Sequence, residues 1–262
     1  MIVNPKGENG ALIGFGVPVT QASDKELLTS PMSRGAYALA TLDRRTVLKM
    51  MVLPRDEAGF EPEIVAQSAL ALGLGGELMA RLRGTWTLAQ LTFESHDAMV
   101  YPALDFLQNV AMRVAELSEG VIADPVSQRY FLPTELTHLP RADPKIDARD
   151  HVSVHFRTEP SGERAYTLGL QKFAQSELEI SSLLSTDRSI AEAFLLVLAQ
   201  TVLVGKLLKP GQSVGSEGQP FEVQTGGLDR ALWEGISVLE LLPPTRSSAT
   251  EALAAWHLSW VR

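Results

Sequence analysis

Apolar positions along the chain follow two rhythms, alternation and a three-to-four spacing, and the places where one gives way to the other mark the elements. From Ala36 to Asp43 and from Thr46 to Leu53, short apolar runs flank Asp43-Arg44-Arg45, a pattern that predicts a β-hairpin closed by Pro54. Glu61 to Arg83 carries Val65, Ala69, Leu72, Leu78 and Leu82 at helical spacing, with Glu61 and Glu63 near the positive end and Gly73, Gly75 and Gly76 weakening the middle. Thr85 to Glu94 alternates through Trp86 and Leu88, then resumes one register later at Leu91 and Phe93, which predicts a strand with a bulge near Ala89-Gln90. Pro102 to Leu117 holds Leu104, Leu107, Val110, Ala111, Val114 and Leu117 in one stripe, an amphipathic helix. Gly120 to Asp124 and Arg129 to Leu132 read as short strands around Pro125, so the first 135 residues read β-β-α-β-α-β-β.

Residues 134–150 are rich in proline and mixed charge and form a linker or crossing loop, after which the pattern restarts. His151 to Phe156, Ala165 to Leu170 and Glu177 to Ile180 predict strands. Asp187 to Leu208 predicts a helix capped by Asp187 or Thr186 and stopped by Lys209-Pro210-Gly211. Phe221 to Gln224 and Ile236 to Leu242 add strands, and Leu253 to Val261 is a terminal segment with Trp256 and Trp260 at helical spacing. The division expected is an N-terminal extension at 1–35, a first α+β half at 36–135, the linker at 136–150 and a second half at 151–262. The fold class expected is α+β, with mainly antiparallel sheet and long helices packed on one face. A diverged duplication of a ferredoxin-like unit would explain why both halves run hairpin, long helix, strand.

Composition narrows the chemistry. The chain of 262 residues has no cysteine, which removes disulfides, thiolate metal sites and cysteine nucleophiles. Charge is −8 overall, with 11 basic against 16 acidic residues through Glu135 and 12 against 15 beyond it. Neither half is basic enough to read as a nucleic-acid module. The stretch from Gly10 to Pro18 is broken by glycine and lacks the form of a secretion signal. The most apolar run, Ser189 to Gly205, contains Glu192 and falls short of the roughly 20 residues that span a bilayer. A cytoplasmic protein with no membrane association is expected.

The most distinctive text is Tyr166-Thr-Leu-Gly-Leu-Gln-Lys-Phe-Ala-Gln-Ser-Glu-Leu-Glu-Ile180. It resembles a bacterial family of unknown function, the DUF4261-like type, in which a Thr-x-Gly-hydrophobic turn precedes Phe and a Glu-Leu-Glu-hydrophobic strand. The apolar helix, Leu208-Lys-Pro-Gly211 and Gln212-Ser-Val-Gly215 continue the resemblance, which covers 166–223, about a quarter of the chain. Ala174 departs from it, since a glycine commonly follows the phenylalanine there. The resemblance implies a fold type and no activity. From the residues themselves, Leu168, Leu170, Leu178 and Ile180 are the buried positions, while Glu177 and Glu179 point outward as a solvated or partner-facing acidic pair.

Candidate chemistry is thin. His151 and His155 share a predicted strand and would stand about 13 Å apart, too far for two ligands of one metal. Gly10 to Gly16 and Gly73 to Gly76 lack the strand–turn–helix context of a nucleotide site. Gly211-Gln-Ser213-Val-Gly215 has the spacing of a serine nucleophile elbow but follows a helix and leads into a strand, with only His257 downstream. No catalytic, cofactor or metal residue is assigned. The reading reached is a non-enzymatic protein–protein interaction module of immunity, adaptor or chaperone-like type. Its expected surface is Glu177, Glu179, Trp256 and Trp260, meeting a basic protein partner or a second copy in a homodimer. The alternative is a small-molecule-binding protein or enzyme with its site between the halves.

Overall fold

The structure, a computed structural model, describes residues 13–15, 35–40, 46–67, 74–95, 101–136, 146–227 and 233–260. Most of the expected extension 1–35, the Asp43–Arg45 turn and most of the linker, with Asp143-Pro144, lie outside the described residues. The chain forms two compact units, residues 1–123 with 130–140, and residues 124–129 with 141–262. The fold is α+β.

In the first unit, β1 (Ile13–Phe15), β2 (Gly35–Ala40), β3 (Thr46–Pro54) and β4 (Thr87–Ser95) form an antiparallel sheet in sequential order. Alternation decides its faces: Leu48, Met50 and Val52 are buried, while Lys49 and Met51 face solvent and Lys49 reaches Glu94 of β4 at 2.6 Å. The β3–β4 register runs unbroken from Thr46↔Ser95 to Pro54↔Thr87, so the expected bulge at Ala89-Gln90 is absent. The irregular pattern that suggested it arises because Trp86 precedes the strand and is exposed. The expected helix over 61–83 is two helices, α1 (Pro62–Gln67) and α2 (Gly76–Arg83), with Gly75 at the start of the second. Val65, Leu78 and Leu82 form their core with Phe60, Leu74, Met79, Val121, Tyr130 and Leu132 around them. Helix α3 (Tyr101–Ser118) matches its expected span, yet Leu117 is 65% exposed and Ala115 is buried in its place at the last turn. Strands β5 (Ile122–Asp124) and β6 (Arg129–Phe131) form a two-stranded hairpin.

The second unit holds β7 (Ser153–Glu159), β8 (Gly162–Leu168), β9 (Glu177–Leu183), β10 (Ser213–Ser216), β11 (Gln219–Thr225) and β12 (Val238–Leu242). They make one sheet in the order β10-β11-β12-β9-β8-β7, mostly antiparallel, with β9 and β12 parallel. A single turn, α4 (Ala148–His151), precedes β7 and replaces the first part of the strand expected at 151–156. Asp147 caps it by accepting from Arg149 N, and the Gln200 amide clamps it, accepting from Ala148 N at 2.8 Å and donating to the Ile146 carbonyl at 2.7 Å. Helix α5 (Arg188–Leu203) ends at Gly205, whose φ of 95° few other residues adopt, and so stops short of Lys209-Pro210. Asp187 does not cap α5 through its side chain. Its carboxylate accepts from Leu184 N and from the Thr250 hydroxyl at the start of α6 (Ala249–Trp260).

Ala165, Leu178, Ile180, Leu241, Phe221 and Val223 share one sheet face and are all buried. Phe194 of α5 closes on that face, with ring centroids 5.2 Å from Phe221 and 4.9 Å from Trp256 of α6. Trp256, expected at the surface, is therefore core. Trp260 is the last residue of α6, and its side chain lies outside what is described.

Two backbone positions test this account. Gly169 has φ 126°, and a Cβ there would stand 2.2 Å from the His151 carbonyl oxygen, so Gly169→Ala is expected to cost on the order of 3 kcal/mol in urea unfolding. Ala174 sits in the left-handed region at φ 54°, ψ 31°, where a glycine is more at ease. Relief of left-handed strain exceeds the added chain entropy, so Ala174→Gly is expected to stabilise by about 0.5 kcal/mol in the same assay.

Candidate functional site

The side chains able to do chemistry gather in the second unit. Glu177 and Glu179 open β9, the strand between β8 and β12, and both glutamates are fully buried, Glu177 under the turn at 169–173 and Glu179 against Trp233. The outward acidic pair expected from alternation is thus overturned: alternation separated apolar from polar positions, but the turn and Trp233 cover the polar face.

Glu177 is held by the turn that precedes it. Its Oε1 accepts from Gly169 N at 2.8 Å and Gln171 N at 3.1 Å, and its Oε2 accepts from the Thr167 hydroxyl at 2.8 Å. The Thr167 oxygen in turn accepts from Leu178 N. Successive backbone N–H groups make a small anion cradle, here filled by the chain's own carboxylate. Burial raises the Glu177 carboxyl above its usual value, and these donors oppose the rise.

A second cluster surrounds the turn of the β5–β6 hairpin. Asp124 accepts from Val126 N, Ser127 N and the Ser127 hydroxyl, and pairs with Lys172 at 2.6 Å. Burial alone would raise Asp124, but Lys172 and Ser127 together lower it, while burial lowers Lys172 against the pull of Asp124. Ser153 Oγ lies 2.8 Å from His155 Nε2, the separation of a nucleophile and its base. Its polarity is wrong for that role. The Ser127 carbonyl can only accept, and both His155 Nε2 at 3.2 Å and the Ser153 hydroxyl face it. The nitrogen therefore carries its proton toward the serine, and the serine hydrogen is spent on the carbonyl. His151 is not in the same strand as His155; it closes α4, buried edge-on to Phe173, and burial with nearby Lys172 pushes its pKa down to about 3. Ser213 lies exposed in β10 rather than on an elbow, and His257 is exposed on α6.

The third arrangement crosses the sheet on the face opposite Phe221. Strand register places His155, Tyr166, Glu179, Glu240 and Gln224 side by side on β7, β8, β9, β12 and β11. Tyr166 stacks beside His155 and meets Trp233 edge-on at 5.6 Å, and Trp233 Nε1 donates to Glu179 Oε2 at 2.6 Å. Arg164 is 4% exposed; its Nη2 pairs with Glu159 at 2.8 Å, and its Nη1 stops 3.7 Å from Glu179 Oε2. Glu240 accepts from the Ser181 hydroxyl, and burial, then the neighbouring Glu179, raise its carboxyl. Sequence reasoning missed Thr167, Gly169, Arg164, Tyr166, Trp233 and Glu240. The available signal was the Thr-x-Gly spacing ahead of a glutamate, which fits a carboxylate-filled turn. The row across the sheet needs strand order, and no local pattern carries that.

Among the described residues no group of three or more histidines, aspartates and glutamates could hold a metal ion, and no helix is long and apolar enough to cross a membrane. Comparison with protein-family models, with curated proteins and with solved structures finds no match.

Substitutions at two residues separate these roles. Glu177→Ala is expected to cost about 3 kcal/mol and Glu177→Gln distinctly less, because an amide oxygen still accepts both N–H groups; urea unfolding reads both. His151, with a folded pKa of about 3 against 6.5, contributes stability that is complete above pH 6.5 and is lost as pH falls toward 3. The expected loss is about 1.4 kcal/mol per pH unit in that window. Glu177, whose carboxyl is raised, acts with the opposite sign, so the quantity to read is wild type minus His151→Leu, which should carry the His151 slope alone.

Proposed function

We propose that the protein is a non-enzymatic protein–protein interaction module of immunity, adaptor or chaperone-like type, with its recognition centre in the first unit at Trp86. The observation that carries the reading is that Trp86 is 83% exposed. Isolated leucines at a surface need no explanation, but tryptophan is the residue most enriched at interface hot spots. Its loop is braced: Trp86 O accepts from Arg55 N, and the Arg55 guanidinium donates to the Thr85 carbonyl. Arg83, three residues earlier, pairs with Glu63 on α1, next to Ile64, which is itself well exposed. A large aromatic side chain on a braced backbone has few torsions to fix on docking, which favours a protein partner that offers an apolar pocket with a polar rim.

Supporting this reading further, Glu177, Asp124, Ser153 and His155 are each engaged in holding their own unit together. A basic partner drawn to Glu177 and Glu179 is no longer part of the proposal, because neither is at the surface. Membership of the DUF4261-like family and a ferredoxin-like duplication remain part of it, carried by the Tyr166–Val223 text and the recurring hairpin–helix–strand succession read from the sequence.

The test is affinity capture from native cells at moderate salt, with identification of the partner and titration of the purified pair. Trp86→Ala is expected to weaken that pair by at least about 30-fold, the 2 kcal/mol of a hot spot, while leaving the unfolding midpoint unchanged. A partner bound equally well by wild type and Trp86→Ala would sink the assignment of the face. Charge reversal at Glu177 is unsuitable as a control, since it would break the cradle.

A further inference from the structure

We propose that the chain forms a two-fold dimer by pairing β4 with β4 of a second copy, so that the two four-stranded sheets run on as one. This goes beyond the docking role of Trp86 and does not use that side chain.

β4 is an edge strand: among the described residues it pairs with β3 alone, at every position from Thr87 to Ser95. Which of its backbone groups face away follows from one bond. Arg55 N donates to Trp86 O, and these two residues stand directly opposite each other in the register that continues Pro54↔Thr87. Bonded and non-bonded pairs alternate along an antiparallel ladder, so Leu88, Gln90, Thr92 and Glu94 turn their N–H and C=O groups to β3. Thr87, Ala89, Leu91, Phe93 and Ser95 turn theirs outward, where no described backbone group meets them. Such a row is a template for another strand.

The edges of the second unit's sheet are guarded. β10 has four residues with Gly215 among them, while β7 carries Arg157 and Glu159 and is met at its start by Ser127, bonded to Ser153 and His155. β4 runs for nine residues without proline or glycine, and its one charged residue, Glu94, is paired with Lys49 at 2.6 Å.

Symmetry and charge select a second copy as the occupant. The outward residues are symmetric about Leu91: with Leu91 opposite Leu91 of the other copy, Ala89 faces Phe93 and Thr87 faces Ser95, so every outward group meets a partner in an isologous pair. The chain carries a charge of −8, which keeps copies apart in general, but this edge is neutral, and in that register Glu94 stands opposite Leu88 rather than its own counterpart. The apolar face gains as well. Met50 and Val52 of β3 are buried, while their partners on β4, Leu91 and Ala89, are half-buried, and an added strand covers them.

Sedimentation velocity on the full chain is expected to show a monomer–dimer equilibrium, with dimer present by about 200 μM. Gln90 and Thr92, both exposed, face each other across the pair at non-hydrogen-bonded positions. Gln90→Glu/Thr92→Glu is expected to weaken the dimer about tenfold by opposing like charges, and Gln90→Lys/Thr92→Glu to tighten it by a similar factor, each variant keeping the parent's circular dichroism. The chain has no cysteine, so Gln90→Cys/Thr92→Cys isolates the contact: in oxidised glutathione it should close to a covalent dimer much faster than Ser213→Cys, exposed in the second unit. Trp86→Ala should leave the dimer intact. A chain that is monomeric at about 200 μM overturns the proposal, as does a dimer that neither responds to charge at 90 and 92 nor crosslinks there. Either result leaves the Trp86 reading standing.

Discussion

The second unit depends on one buried carboxylate. Glu177 sits at the start of the central strand β9 and is fully enclosed, an arrangement that would cost several kcal/mol in an apolar setting. The preceding turn offsets that cost by aiming two backbone N–H groups and the Thr167 hydroxyl at it. The same bonds fix where β8 ends and β9 begins, because the Thr167 oxygen also accepts from Leu178 N. Gly169 completes the arrangement by passing so close to the His151 carbonyl that a Cβ has no room, which ties the turn to α4. With β8 and β9 joined in this way, β7 pairs on one side and β12, β11 and β10 build out on the other.

This explains what in the sequence was legible and what was not. Elements whose pattern reports their own burial read well: α3 and the strands β3 and β11 fall close to their expected spans because one side of each is apolar and the period is intact. The text Glu-Leu-Glu-Ile gave the correct strand and the wrong environment. Alternation identifies which side chains are apolar; whether the other face meets water depends on what packs over it, here the turn at 169–173 and Trp233. Trp256 illustrates the same limit, since helical spacing places it on a face without saying that Phe194 waits there. At α4 a tertiary clamp, the Gln200 amide, overrode an apparent strand, and no window of local sequence contains both partners.

Burial and closeness to a histidine are weak guides to chemistry in this chain; the direction of each hydrogen bond is the stronger one. Ser153 and His155 have the spacing of a catalytic pair, but a carbonyl acceptor between them orients both protons so that the imidazole has no lone pair for the serine. Asp124 and Lys172 likewise satisfy each other, and the hairpin turn supplies the rest. Each of these groups closes on partners within its own unit and works as scaffold.

The row from His155 to Gln224 differs in that its neighbour Arg164 keeps two buried N–H groups without an acceptor among the described residues. Arg164 reaches one carboxylate and stops short of the next, while Glu240, beside Glu179 on the parallel strand, has only a hydroxyl. A fold that needed this cluster purely for stability would gain by pairing Arg164 fully with Glu179, or by replacing the three acids with apolar residues, since buried ion pairs seldom outdo well-packed hydrocarbon. The cluster instead keeps charge of both signs, incompletely matched and lined by aromatic rings. That incomplete matching of Arg164 costs stability, which the rest of the unit's packing has to offset.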